Sequence, residues 1–301
     1  MKLFAPKYYE KFKCLADRCT HSCCIGWEID VDKEAICRYG ELGEDGIRIL
    51  STVDFSGDIP HFMLVENERC PHLREDGLCR IISDLGEKYL CSICREHPRF
   101  YNFTGKGVEV GVGASCEAAA ELILSSDSYS YIVLIEDDGE IEACERNGAD
   151  FFGKRSEIYK ILSDKSLPYP NRLSLIYDTF SVSPSILSDD EWRSTLSGLE
   201  YLSEESRELF MSYSFSADAK YGQLSERALA YFIYRHTGAA RSESDFRASL
   251  GLALFLERLY TSIVKRAGSY GETVSLLVRL SEEIEYSEDN TETIKNEFLF
   301  S

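Results

Sequence analysis

The chain has 301 residues, with 52 acidic and 33 basic side chains and a formal net charge of −19 at pH 7. This length is enough to bury one large hydrophobic core or two ordinary ones. So negative a charge excludes a general nucleic-acid-binding protein, because phosphate contacts require clustered lysine and arginine, and it suits a lysine-bearing partner. The N-terminal residues contain no continuous apolar segment, and no apolar run is long enough to span a bilayer. We therefore expect a cytoplasmic protein without a secretory signal or a membrane partner.

The first half of the chain is predicted to be largely irregular. In chain order, the pattern predicts short helices at residues 7–12 and 32–39, a strand at 108–112, a helix at 115–124 and a strand at 129–136. From about residue 150 the apolar residues recur at helical spacing, as in Leu252, Phe255, Leu259 and Ile263. Helices are predicted at 192–202, 226–236, 252–263 and 274–284, and the polar segment 287–297 is predicted to be a frayed tail.

The predicted fold is mostly α. An irregular, cysteine-rich, metal-binding N-terminal region with a few short strands is expected to pack against a C-terminal helical bundle. We place the boundary after residue 126, so that residues 1–126 form the metal- or iron–sulfur-binding domain and residues 127–301 form the mainly helical domain. The sequence contains no internal repeat and no low-complexity tract.

The placement of the cysteines is the strongest functional signal. All eleven lie in the first 144 residues. In a reducing cytosol, clustered thiols bind metal more often than they form disulfides, and a chain of this size does not need disulfide bonds for stability. Buried structural thiols would be spread more evenly along the sequence. The pattern therefore favours a metal centre over disulfides or unconnected thiols.

The spacing of the cysteines leaves the metal undecided. The first group is Cys14-x4-Cys19-x3-Cys23-Cys24, and the second comprises Cys70-x8-Cys79, then Cys91, Cys94 and Cys116. Thiolates are soft ligands, and four of them suit tetrahedral zinc or an iron–sulfur cluster. The first group does not match the Cys-x3-Cys-x2-Cys pattern of radical enzymes that cleave S-adenosylmethionine. Cys37 and Cys144 stand apart and are expected to be incidental thiols. His21 and His72 are expected to hydrogen-bond a sulfur or face solvent rather than to bind the metal.

A glycine pattern, VEVGVGAS at Val108–Ser115, follows a predicted strand and opens a predicted helix, and Glu136 ends the next predicted strand. This order is similar to the strand, glycine turn and helix that bind a nucleotide phosphate. A nucleotide-binding sheet needs several more strand–helix units, however, and the chain downstream is almost purely helical. We therefore favour a hairpin that leads to a metal-binding Cys116.

Several motifs in the first 125 residues together resemble the bacterial flagellin lysine N-methylases. They are Pro6-x-Tyr8, Phe12-x-Cys14-x4-Cys19-x3-Cys23-Cys24-x-Gly26-Trp27-x-Ile29, Cys70-Pro71-x-Leu73, Asp76-Gly77-x-Cys79, Gly86-Glu87, Cys94-Arg95-x2-Pro98-Arg99 and Ser115-Cys116-Glu117-x-Ala119. The same cysteine pattern, more loosely kept, marks a broader class of zinc- or iron-chelating proteins. The helical second half adds little that is diagnostic.

The resemblance implies transfer of methyl groups from S-adenosylmethionine to flagellin lysines by a protein with an iron–sulfur cluster, expected to be 4Fe–4S, with zinc as the alternative. Cys91 falls outside the family pattern. The matching metal-binding positions are Cys14, Cys19, Cys23, Cys24, Cys70, Cys79, Cys94 and Cys116. Eight cysteines exceed what one cubane needs, so either two metals bind or some of the eight support the site without binding metal.

Methyl transfer to an amine requires a neutral nucleophile. The pKa of a free lysine lies about 3 units above neutral pH, so its deprotonation costs roughly 4–5 kcal/mol at pH 7. A carboxylate or a tyrosine can accept the proton, but no catalytic residue stands out in the sequence. Asp30 and Asp32 lie nearest the first cysteine group, and we expect a helix N-cap and a solvated charge there. Trp27 is expected to anchor a core.

The sequence leaves the roles of two arginines undecided and allows two other functions. Arg95 and Arg99 suit either the negative charge of a cluster or of a methionine carboxylate, or plain ion pairing at the surface. Besides the methyltransferase, the sequence allows a metal-binding module for storage, delivery or structural zinc. It also allows a redox protein whose iron–sulfur cluster transfers electrons.

Overall fold

The computed structural model of the protein describes residues 2–20, 22–104, 107–126, 131–136, 151–214 and 222–299. Helices account for 59% and strands for 10%, which confirms the mostly helical fold with a few short strands. His21 and Cys144, both considered above as possible metal-site residues, lie outside the described residues. In the described ranges, no helix is both long enough and apolar enough to cross a membrane.

The regular elements follow one another in this order. The strands are β1 (Lys2–Pro6), β2 (Val53–Asp54), β3 (His61–Phe62), β4 (Arg99–Thr104), β5 (Gly107–Val112) and β6 (Tyr131–Glu136). The helices are α1 (Lys33–Gly40), α2 (Glu44–Leu50), α3 (Arg80–Leu85), α4 (Ser92–Glu96), α5 (Glu117–Ser125), α6 (Phe152–Ser163), α7 (Tyr169–Phe180), α8 (Asp189–Ser197), α9 (Glu204–Met211), α10 (Gly222–Thr237), α11 (Glu243–Val264), α12 (Tyr270–Leu280) and α13 (Glu288–Leu299). A π-helical segment, Ser281–Glu285, follows α12.

The chain divides into two compact units. The cysteine unit comprises Lys13–Pro98, and the helical unit comprises Met1–Phe12 together with Arg99–Ser301. The predicted boundary after residue 126 coincides with neither junction between these units. The reason is long-range strand pairing: Leu3 of β1 pairs with Val108 of β5 on one side and with Ile135 of β6 on the other. The chain therefore leaves the helical unit after its first strand and returns to it at β4.

The helical unit contains a four-stranded sheet in the order β4-β5-β1-β6. Strands β1 and β5 are parallel, whereas the other two pairings are antiparallel. The core of the unit lies around α10 and α11, where the ring of Trp192 stacks on that of Phe255 with centroids 4.0 Å apart. The four residues of the predicted helical stripe in α11, from Leu252 to Ile263, are all buried, as their spacing indicated.

The predicted frayed tail at 287–297 was wrong, because most of this segment belongs to helix α13. Ile294 and Phe298 are four residues apart and therefore lie on one face of the helix, and both are buried. The Phe298 ring packs against Trp192, with centroids 5.7 Å apart. Burial of this apolar face stabilises the helix although most of its residues are polar.

The cysteine unit is built around a small core of its own. Helices α1 and α2 pack against each other, and β2 and β3 form a short antiparallel ladder in which Val53 pairs with Phe62. Ile29, Phe62 and Tyr39 are fully or almost fully buried in this core. Cys70 and Cys91 belong to the same core, so two of the thiols are part of its packing.

Candidate metal centre

Backbone hydrogen bonds bring the two cysteine groups of the sequence together. The amide of Cys70 donates to the carbonyl of Cys24 at 2.8 Å, which joins the first group to the second. One residue earlier, the carbonyl of Cys23 accepts a hydrogen bond from the indole Nε1 of Trp27 at 2.7 Å. Trp27 packs against the core of the cysteine unit, as predicted, and so fixes the backbone of the adjacent cysteine pair.

Cys91 and Cys94 form a hydrogen-bonded thiol pair at helix α4. Cys91 occupies the N-cap position of this helix and Cys94 lies in its first turn. The hydrogen bond from the Cys94 thiol lowers the pKa of Cys91, whereas the same bond, together with burial, raises the pKa of Cys94. Within the pair, ionisation is therefore easier at Cys91 than at Cys94.

Four further sulfurs are close enough for their charges to act on this pair or on one another. Burial raises the pKa of Cys70 to about 11, and the charges of Cys79 and Cys91 contribute. Burial also raises the pKa of Cys79, with contributions from Cys23 and Cys91. The charges of Cys24 and Cys70 raise the pKa of Cys94 further. We call the six residues the thiol cluster: Cys23, Cys24, Cys70, Cys79, Cys91 and Cys94.

The other predicted metal-binding cysteines have different surroundings. Cys14 is exposed, and its Sγ accepts a hydrogen bond from the Ala16 amide at 3.3 Å. Cys19 is half-buried and follows a 3-10 turn at Ala16–Arg18. Cys116 belongs to the helical unit, where it occupies the N-cap position of α5. The exposed Cys37 lies in α1.

Two polar residues beside the cluster have structural partners. His72 is buried, its Nε2 lies 3.0 Å from the Thr52 hydroxyl, and burial lowers its pKa to about 4. Its side chain is therefore a neutral imidazole in contact with a hydroxyl. Asp32 is the N-cap of α1, as predicted, since its side chain accepts from the Ala35 amide at 2.8 Å. Asp30 lies two residues earlier, and its backbone pairs with His61.

The two arginines of the family motif form ordinary contacts. Arg95 is largely exposed, with its Nε 3.5 Å from a Glu96 carboxylate oxygen, which is a surface ion pair between sequence neighbours. Arg99 belongs to the helical unit, where its Nε donates to the Tyr9 hydroxyl at 3.2 Å and its guanidinium lies over the Phe12 ring. Of the two interpretations offered by the sequence, surface pairing describes Arg95.

The donor chemistry of the thiol cluster suits a soft metal or an iron–sulfur cluster. Tyr39 is completely buried beside Cys91 and Cys94, and its hydroxyl has no hydrogen-bond partner among the residues that the structure describes. A thiolate held by a metal is an acceptor that would satisfy this hydroxyl. Within the described residues, no three His, Cys, Asp or Glu side chains are already arranged to hold one metal ion.

Cys91 belongs to the thiol cluster but was not among the metal-binding cysteines predicted from the family motif. It is 1% exposed and hydrogen-bonded to Cys94, and its charge raises the pKa of Cys70 and of Cys79. The signal that finds it is local: Cys91 and Cys94 form the chain's Cys-x2-Cys pair, which is the commonest spacing for two thiolates on one metal.

The fold and the thiol cluster together define a cysteine-rich protein that also contains a helical unit. Among the described residues, no helix could span a membrane. No protein-family model matches the chain, and no solved structure is significantly similar to it. The resemblance to the lysine N-methylases is confirmed by curated relatives. A lysine-N-methylase of Salmonella typhimurium is 26% identical over 134 residues, which cover 40% of this chain and 32% of that protein.

Two further curated relatives match the chain to a similar extent. The lysine-N-methylase of Salmonella choleraesuis is also 26% identical over 134 residues. The flagellar biosynthetic protein FliU of Salmonella muenchen is 29% identical over 129 residues, or 40% of this chain and 75% of that protein. The similarity thus spans about a third of the length of the lysine-N-methylases and most of the length of FliU.

Proposed function

We propose that the protein is a protein-lysine N-methyltransferase that transfers methyl groups from S-adenosylmethionine to flagellin lysines. We further propose that its thiol cluster holds a metal centre, either a 4Fe–4S cluster or zinc. The similarity to lysine-N-methylases over 134 residues carries the methyltransferase assignment. The name of the FliU relative supports a flagellar protein as the partner.

The six sulfurs of the thiol cluster support the proposed metal centre. Cys24, Cys70 and Cys94 are joined by a backbone hydrogen bond and by the mutual effects of their charges, and all three also match the family motif. Cys91 adds a ligand at the start of α4. When bound, a metal centre cross-links the chain segments that hold it and, if it is iron–sulfur, supplies one-electron chemistry.

The charge of the chain suits the proposed substrate. A lysine ammonium is attracted by a protein with a net charge of −19, and this attraction is strongest at low ionic strength. Transfer then requires that the ammonium lose its proton, at a cost of roughly 4–5 kcal/mol at pH 7. A desolvated site or an adjacent base must offset that cost.

The direct test is incubation of the metal-loaded protein with flagellin and S-adenosylmethionine labelled on its methyl group. We expect label on lysine side chains, located by peptide mass spectrometry, and none when flagellin lysines have been acetylated. If a protein with its metal centre intact transfers no label to lysine, the methyltransferase assignment is wrong.

The hydrogen-bonded Cys91–Cys94 pair also favours a second candidate, a redox or metal-binding module without methyl transfer. Such a protein would carry iron with a measurable reduction potential, or colourless zinc, but would leave flagellin unmodified. Metal analysis and a visible spectrum, recorded on the same preparation as the transfer assay, separate this candidate from the methyltransferase.

A further inference from the structure

The glycine pattern noted in the sequence forms a tight turn between a strand and a helix of the helical unit. Strand β5 ends at Val112 and α5 begins at Glu117, and we call Gly113–Cys116, which joins them, the glycine turn. Gly113 has no room for a side chain. A Cβ there would lie 2.8 Å from Nη1 of Arg235 and closer still to the hydroxyl of Tyr286. A guanidinium therefore lies directly against the backbone of the turn.

The turn contains a buried hydrogen-bonding group that the protein does not use. Ser115 is 6% exposed, and its hydroxyl has no hydrogen-bond partner in the described part of the chain. It lies just before the N-terminus of α5, a helix of nine residues. The N-cap position is held by a cysteine, whose thiol is a weak acceptor compared with the usual Ser, Thr, Asn or Asp. The amides of the first helical turn and the Ser115 hydroxyl are thus donors suited to a bound anion.

The guanidinium beside the turn is held in place by aromatic rings and one carboxylate. Arg235 lies between the rings of Phe100 and Tyr286, at 4.9 and 4.8 Å from their centroids. Its Nε is 3.2 Å from the carboxylate of Glu285, which is completely buried. Glu285 offsets the charge of Arg235, but these contacts keep Nη1 of its guanidinium fixed beside Gly113.

The backbone of the turn is anchored to the same network. The Ala114 amide donates to the Tyr231 hydroxyl at 2.9 Å, and this hydroxyl donates to Glu285 at 2.9 Å. Glu285 also accepts a hydrogen bond from the Ser281 hydroxyl at 2.6 Å. Within the described residues, two buried donors beside the turn have no hydrogen-bond partner: the Ser115 hydroxyl and Nη1 of Arg235. A site with its donors fixed in advance loses little entropy when the ligand binds.

The position of the turn in the sheet agrees with a binding site. Strands β1 and β5 are parallel, so their carboxyl ends lie at the same edge of the sheet. In open α/β sheets, ligands bind beyond the carboxyl ends of the parallel strands, and the β1–β5 pair is the parallel part of this mixed sheet. The glycine turn occupies that place after β5. Glu117, at the first position of α5, adds one negative charge beside it.

We propose that the glycine turn binds the carboxylate of an α-amino acid group on a small ligand, through the Ser115 hydroxyl and the first amides of α5. The ammonium of the same group is complementary to Glu117, whereas the multiple negative charge of a phosphate would be repelled by it. The methionyl end of S-adenosylmethionine has this chemistry. Assigning the ligand to the methyl donor rests on the proposed function, but the carboxylate site itself does not.

The test is isothermal titration of the full chain with three probes: S-adenosylhomocysteine, L-methionine and AMP. The variant is Ser115→Ala, and the matched control is Ser125→Ala, an exposed serine at the other end of α5. We expect S-adenosylhomocysteine to bind roughly tenfold more weakly to S115A, the effect of losing one hydrogen bond to a charged group, and S125A to bind like the parent chain. The melting temperature of S115A should be unchanged or higher, because the substitution removes an unsatisfied buried hydroxyl.

Equal binding of S-adenosylhomocysteine to S115A and to the parent chain would overturn the proposal, and so would the absence of binding by all three probes. Binding of AMP that depends on Ser115, without binding of methionine, would refute the amino-acid assignment. A lower melting temperature in S115A would show that the hydroxyl has a structural partner, which contradicts the proposed site. If binding depends on Ser115 but no methyl group reaches flagellin, the proposed function fails while this site stands.

Discussion

The carboxylate of Asp32 accepts a hydrogen bond from the Ala35 amide at 2.8 Å and another from the Ser92 amide at 2.5 Å. One side chain therefore caps two helices that are far apart in sequence, α1 and the α4 that carries Cys94. Burial opposes its ionisation, but the hydrogen bonds from Ser92 and Ala35 outweigh burial and lower the pKa of Asp32. Asp32 therefore fixes the start of α4, which carries the Cys91–Cys94 pair, to the start of α1.

Replacing Asp32 by alanine should destabilise the cysteine unit by about 2 kcal/mol, since each lost cap costs about 1 kcal/mol. Release of α4 should also expose Cys91, which is 1% accessible in the intact protein. Chemical denaturation measures the first effect, and iodoacetamide labelling with mass spectrometry measures the second. Asp30→Ala, two residues earlier, is the control. Slow labelling of Cys91 in D32A would show that Asp32 does not hold α4.

A buried ion pair fixes helix α6 to the sheet of the helical unit. Arg155 donates two hydrogen bonds to Glu109 of β5, one of them at 2.9 Å, and both side chains are almost completely buried. Glu109→Ala leaves the guanidinium buried without a counter-charge and should cost about 3–5 kcal/mol. The double variant E109L/R155M should recover most of this loss, because it removes both charges. Thermal unfolding of the three proteins tests this, and a double variant less stable than E109A would contradict it.

The parts of the fold that depend on local pattern were predictable. The helix predicted at 32–39 is α1 with its Asp32 cap, and the strand predicted at 108–112 is β5. Strand β1 was missed, because its partners lie more than a hundred residues away: Lys2 pairs with Glu136 across the sheet. No short-range signal records such a pairing.

The sequence predicted that cysteines would cluster, but not which cysteines would do so. The spacing predicts metal-binding thiols and the family motif predicts eight of them, a prediction that does not include Cys91. The structure groups Cys91 with five of those eight. Membership depends on the hydrogen bond between Cys70 and Cys24 and on the packing of α4, both of which join distant segments. The unsatisfied hydroxyl of Ser115 is likewise visible only in three dimensions.

Glu257 should make the stability of the helical unit depend on pH. This residue of α11 is 3% exposed, it accepts a hydrogen bond from the Thr261 hydroxyl at 2.9 Å, and burial raises its pKa to about 7. The folded chain therefore holds this proton more tightly than the unfolded chain. The free energy of unfolding is therefore highest below pH 4.5 and falls as the pH rises toward 7. Above pH 7 it is about 3 kcal/mol lower than at pH 4.5.

Glu257→Gln removes this dependence, so the variant should match the parent chain at pH 4.5 and exceed its stability by about 3 kcal/mol at pH 8. Denaturant titrations at the two pH values give the comparison. Glu243→Gln, at the exposed start of the same helix, is the matched control and should change little at either pH. A variant less stable than the parent at pH 8 would mean that Glu257 is ionised and well paired in the folded chain.

The central claim, that the sulfurs of the cysteine unit hold a metal centre, is tested most directly by counting metal per chain. The protein is purified without oxygen, and iron, sulfide and zinc are quantified in the parent chain and in Cys91→Ser, Cys94→Ser and Cys37→Ser. We predict a stoichiometric centre in the parent chain and in C37S, and loss of most of it in C91S and C94S. A parent chain without bound metal, or a C91S variant that keeps all of it, would contradict the account.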